Sequence, residues 1–194
     1  MGKIGILQAG HQLLRSPAAA VPPHLFNSSA LTDLIGLMKM AMRDAPGVGL
    51  AAPQIGVPLQ VIVLEDTETL MRFLTPQERE ERGRSPVPFQ AWINPSMKPL
   101  SDEQAELFEG CLSVPGFEAK VKRYVHIEVD GFDETGKRKS PLEMRGWPAR
   151  IVQHEIDHLN GTLYVDRMDS KTLATRASRE DHALSDLIAS LGLD

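Results

Sequence analysis

The pattern that most restricts this chain is His154-Glu155-Ile156-Asp157-His158, because two imidazoles at this spacing share a direction when the segment between them is helical. Successive helical residues turn by about 100°, so His158 lies about 40° round from His154, with Glu155 in the same arc. Such a helix offers two nitrogens to a metal ion. It also sets a carboxylate where it can handle a proton on a ligand of that ion without binding the ion itself. The flanks agree: Trp147, Ile151, His154 and His158 share one stripe, Pro148 is tolerated in a first turn, and Asn160-Gly161 makes a C-terminal stop.

A catalytic zinc-type site takes three protein ligands plus water, so a third ligand is needed. The candidates are Cys111, Asp157, Asp166, Asp169 and His182. Cys111 is the single cysteine of the chain; it cannot form an internal disulfide, which points to a reducing compartment and a thiol kept for packing or chemistry. It stands in Glu109-Gly110-Cys111-Leu112-Ser113, where glycine permits close backbone approach, and it is the best of the five. A third segment, residues 47–56, surrounds one amide side chain with small residues. That suits a place where substrate backbone runs close and Gln54 aims a donor at a carbonyl. The segment lacks the lysine and the spacing of a phosphate-binding loop.

The rest of the chain reads as support for these segments. Its 194 residues, 42% of them hydrophobic, suit one compact domain over 1–194. Twenty-one Lys and Arg against 26 Asp and Glu give a net charge of −5, spread along the chain. No basic stripe invites nucleic acid. Residues 45–64 carry no charge over about the length of a membrane span, but Pro46, Pro53 and Pro58 would each break a helix, and no membrane partner is expected. The N-terminus shows neither an export signal nor a myristoylation serine, so a cytoplasmic location is expected. Leu31, Leu34, Ile35, Met38 and Met42 mark an amphipathic helix capped near Asn27-Ser28-Ser29. Residues 61–64 and 91–95 read as strands, the second stopping at Pro95. Val121, Val125, Ile127 and Val129 alternate with polar residues as one half-buried strand, returning through Leu142 and Met144 after a turn at 133–136. Residues 66–88 form a charged surface insertion, and Leu184, Leu187, Ile188 and Leu191 predict a C-terminal helix over 171–191. Strands grouped ahead of helices predict an α+β fold, with antiparallel sheets around the central metal-binding helix.

Taken together, residues 47–54, 109–113 and 153–159 resemble the three signature motifs of the peptide deformylase family, in the same order, with a likeness running from about residue 6 to 167. The resemblance implies that Cys111, His154 and His158 hold a divalent metal with water as fourth ligand, and that the formyl group is removed from the N-formylmethionine of nascent polypeptides. Glu155 would take a proton from the attacking water and pass it to the departing amine. The Gln54 amide and the Leu112 N–H would hold the oxyanion, each contributing roughly 3 kcal/mol to lowering the barrier. Val48, Gly49 and Gly110 would bind the extended peptide backbone, and Leu107, Trp147 and Ile151 would line the methionine pocket. A sulfur and imidazole set accepts Fe²⁺, Zn²⁺, Ni²⁺ or Co²⁺, and the resemblance favours Fe²⁺ in the cell.

Glu118 stands where relatives often carry arginine, which bears on how the substrate beyond methionine is gripped, and the 66–88 insertion resembles the longer organelle-type members. Some relatives use the C-terminal end to touch the ribosome; here Lys171, Arg176 and Arg179 lie in the first half of the predicted helix. Two rivals remain at this stage. A zinc endopeptidase would use the same two histidines with a downstream carboxylate or histidine, and a non-catalytic ribosome-associated module would keep the metal only as a staple.

Overall fold

The computed structural model describes residues 4–72 and 74–175. Helix α1 (Ser29–Asp44) starts where the Ser28 side chain accepts a hydrogen bond from the Leu31 N–H, and it buries Leu31, Met38, Ala41 and Met42 along the predicted stripe. The chain turns at 45–47 into β1 (Gly49–Ala51), passes a 3₁₀ turn at Ala52–Ile55, and enters β2 (Val61–Asp66), where the first four residues are buried in succession. Two short helices follow in the insertion, α2 (Glu68–Met71) and α3 (Pro76–Glu81). Then come β3 (Val87–Pro99), β4 (Gln104–Cys111), β5 (Val114–Tyr124), β6 (His126–Phe132), β7 (Leu142–Arg145), α4 (Trp147–Leu159) and β8 (Ala174–Thr175).

Among the described residues the strands form two antiparallel sheets, one in the order β1-β2-β3-β6-β7 and one in the order β4-β5-β8. Alternation along β2 shows how the larger sheet is covered on both faces. Val61 and Val63 pack with Leu31, Met38 and Met42 of α1, whereas Ile62 and Leu64 pack with Ala149, Ile151 and Val152 of α4. The metal-binding motif therefore rides on a helix fixed by a hydrophobic face of its own. No helix among the described residues is long and apolar enough to cross a membrane.

Three expectations need correction. Pro95 does not end its strand: β3 continues to Pro99 through a register shift between Ile93 and Ser96, with Asn94 at φ 49°, a bulge that accommodates the missing N–H. The alternation from Val121 to Val129 is not one strand. It breaks at Val125, whose N–H donates to Glu103 O and whose carbonyl accepts from Gly146 N–H, so β5 and β6 belong to different sheets. The helix predicted from Lys171 does not begin there. Thr172 Oγ1 accepts a hydrogen bond from Lys120 N–H at 2.8 Å, and the chain makes a 3₁₀ turn and then adds β8 to β5. Residues 176–191 of that predicted helix lie outside the described residues.

Candidate metal centre

Cys111 is the last residue of β4, where the register with β5 shifts from Gly110↔Glu118 to Cys111↔Val114. This tight hairpin end delivers the thiol to α4. His154 and His158 lie one turn apart on that helix, their ring centroids 5.0 Å apart, and ligand atoms of Cys111, His154 and His158 all lie within 4.8 Å of one another. The thiol sulfur is 3.2 Å from His158 Nε2. One sulfur and two imidazole nitrogens at this separation suit a tetrahedral divalent ion with a fourth position left open. A second observation fits the same group: Glu155 Oε2, beside the cluster, is buried and has no hydrogen-bond partner.

The other candidates for third ligand are occupied or remote. Asp157 is held by Arg123 and Arg167, Asp166 by Arg15 and the Leu163 N–H, and Asp169 caps the turn at Ser170–Thr172. His182 lies outside the described residues.

Sequence reasoning missed the charges that hold the histidines. Glu109, buried, interacts with His154 Nδ1 at 3.0 Å, which leaves Nε2 of that ring to face the cluster. Arg123 donates to both Glu109 oxygens at 2.9 and 3.0 Å, and Arg150 adds a hydrogen bond at 2.6 Å. Burial alone would raise the Glu109 pKa, but His154 and the Arg123 guanidinium hold it well below the usual carboxylate range. A signal was present. Arg123 shares strand parity with inward-facing Val121, and Arg150 stands four residues before His154 on the same helix.

The segments converge on a cavity of about 460 Å³. Val48, Gly49 and Gln54 reach it from the 45–56 region, Gly110, Cys111 and Leu112 from the hairpin, and Trp147, Ile151, His154 and Glu155 from α4. His158 lies behind this wall and is buried. Leu107 does not join it: four residues of strand, about 13 Å, separate it from Cys111, and it lines a second cavity beside Tyr124 and Arg145. Glu118 does not line the first cavity either, and sits opposite Gly110 and Ala174 in the smaller sheet.

Gly49 has a structural reason to be glycine. A Cβ there would stand 2.3 Å from Glu155 Oε1 and 2.9 Å from Ile151 Cγ2. Burial pushes the Glu155 carboxyl up to about 7, against the pull of His154. Gln54 is oriented at both ends of its amide. Its oxygen accepts from Ala51 N–H at 2.8 Å, and its nitrogen donates to Ser113 Oγ at 3.2 Å, with the Cys111 sulfur 3.7 Å away.

A family model described as polypeptide deformylase matches residues 4–174. The chain is 45% identical over 170 residues to the chloroplastic peptide deformylase 1A of Solanum lycopersicum, covering 88% of this chain and 61% of that one. It is 44% identical over 182 residues to peptide deformylase 1 of Streptomyces coelicolor, covering 91% and 78%. The chain spans less than two thirds of the length of the plant relatives it matches. Among solved structures, a class I type b peptide deformylase from Acinetobacter baumannii bound to Met-Ala-Ser superposes with a TM-score of 0.76 at 32% identity, over 86% of this chain and 99% of that one. Because the match spans every segment that builds the cavity, the chain belongs to the polypeptide deformylase family.

Proposed function

We propose that this chain hydrolyses the N-formyl group from the N-formylmethionine of nascent polypeptides. The observation that carries the reading is the convergence of Cys111, His154 and His158 beside a buried carboxyl, Glu155, whose Oε2 lacks a partner. A divalent ion held by those three residues would supply Lewis acidity and an acidified water. Fe²⁺ is our assignment for the cell, with Zn²⁺, Ni²⁺ and Co²⁺ accepted by the same donors. A thiol in that set suits a reducing compartment, and we place the chain in the cytoplasm.

Glu155 takes the proton of the attacking water and returns it to the amine nitrogen as the C–N bond breaks, one carboxylate serving both steps. The Gln54 amide nitrogen, fixed through Ala51 and Ser113, and the Leu112 N–H at the hairpin tip hold the developing oxyanion. Val48, Gly49 and Gly110 hold the peptide backbone, and Trp147 and Ile151 receive the methionine side chain. The Met-Ala-Ser complex of the Acinetobacter relative supports a peptide beginning with methionine as ligand.

The test is formate release from formyl-Met-Ala-Ser by protein of defined metal content, with casein as a second substrate. Formate without cleavage of casein is expected. Casein cleavage without formate would mean an endopeptidase instead.

A further inference from the structure

The charged insertion between β2 and β3 ends on the wall of the metal-site cavity. Arg84 lines that cavity beside Trp147, with its guanidinium carbon 5.1 Å from the indole centroid, and Arg82 comes within 5.6 Å of the same ring. Arg84 is firmly seated. Its Nε and Nη2 donate to the two oxygens of Asp66 at 2.7 and 3.1 Å, and the Asp66 side chain is fully buried. The same stretch grips the tryptophan's backbone, since Trp147 N–H donates to Gly83 O at 3.2 Å. Gly83 and Gly146 also meet closely: a Cβ on Gly146 would stand 2.7 Å from Gly83 O and 2.9 Å from its Cα. Both have positive φ, 54° and 62°, which favours glycine, and at Gly146 the lack of space requires it.

We propose that Arg84 is a positioning residue that determines side-chain specificity. By holding the Trp147 indole against the insertion, it fixes the shape of the pocket for the first side chain of the formyl peptide. The inference rests on the deformylase reading above. A guanidinium over an indole is attracted to the ring's negative face, and the Asp66 pair restrains the guanidinium so that it restrains the ring. Released from that contact, the indole can rotate about its own torsions, and a pocket shaped for an unbranched thioether loses its discrimination. Arg84 makes no hydrogen bond to Glu155, Gln54 or the donor residues, so the bond-breaking step is left intact.

Replacing Arg84 alone by an apolar residue would strand the buried Asp66 carboxylate, so two other variants serve. Arg84→Lys keeps the charge and loses the planar two-point contact, and the double variant Arg84→Met with Asp66→Asn removes both charges together. Both are compared with the unaltered protein, at equal metal content, on formyl-Met-Ala-Ser and formyl-Phe-Ala-Ser. We expect KM for the methionine peptide to rise about tenfold with kcat within about twofold, and the preference for Met over Phe to fall about tenfold. Acrylamide quenching of tryptophan fluorescence in the metal-free variants should increase, since Trp92 is fully buried and Trp147 is the ring released. An active unaltered protein whose variants keep its Met-to-Phe ratio and its quenching overturns the inference alone. An unaltered protein that releases no formate from either peptide overturns the deformylase reading and the inference with it. Should the double variant fail to fold, Arg84→Lys decides the matter by the same ratio.

Discussion

Glu155 is a nearly buried carboxyl on the cavity wall, close against Gly49, with one oxygen unpartnered. In the metal-free protein burial pushes its pKa from an ordinary 4.5 to about 7. The folded state therefore favours the protonated form. This contribution to stability is complete below about pH 4.5 and is lost as pH rises through 7. Glu155→Gln carries no such loss, so the chelated variant should melt above the chelated parent at pH 8, with the gap closing toward pH 5. Thermal melts at the two pH values check this, and a gap of the same size at both would refute it. Loaded with metal, the same variant should retain its ion while kcat falls by at least about 10²-fold, because the proton carrier is gone and the donor set is not.

At the scale of elements, the site depends on how the β4–β5 hairpin is bound to α4. Glu109 and Asp157 are the two carboxylates of this junction; Arg123 bridges them, while Arg150 adds to Glu109 and Arg167 to Asp157. Removing Arg123 leaves two buried acids short of a partner, so Arg123→Met should destabilise the fold by about 3–5 kcal/mol, read by urea denaturation. Glu109→Gln also costs stability, because buried Arg123 and Arg150 lose their shared counter-charge. In the fraction that stays folded it weakens the contact that orients His154 and should reduce metal affinity by about 10–100-fold in a competition with a chelator. An unchanged affinity would mean that Glu109 does not orient the ring. What the sequence showed and what it hid divide along the same line. Helix α4, its stripe and its histidines were legible because helical period, a first-turn proline and a terminal glycine act within a few residues. The break at Val125 was not, since the groups that satisfy its backbone, Glu103 and Gly146, come from other elements. The junction left only the partial signals of Arg123 and Arg150, because its members at 109, 123, 150, 157 and 167 meet only after the sheets are in place. Leu107, assigned to the methionine pocket by resemblance alone, lines the neighbouring cavity instead.

In the whole molecule, the three donors divide between two bodies. Cys111 belongs to the smaller sheet, and both histidines belong to the helix packed on the larger one. An ion bound by all three is a cross-link between them, and it binds the folded chain alone. By mass action such a ligand at 100 times its Kd adds about 2.7 kcal/mol of stability. At about 2–4 °C per kcal/mol for a chain of this size, chelation should lower Tm by roughly 5–10 °C. Cys111→Ser should lose most of this metal-dependent rise. The loss should also be uneven across the fold. The larger sheet is covered by α1 on one face and α4 on the other, so β2 and β3 keep their protection without metal. The hairpin rests on a small cluster of Ala119, Val121 and Tyr164 together with the ionic junction, so its amides over 104–124 should exchange faster once the ion is gone. Hydrogen exchange on metal-loaded and chelated protein measures both regions in one experiment. Equal acceleration across the two sheets would mean that the ion stabilises the chain as a single unit, and the division of the site between two bodies would have no energetic meaning.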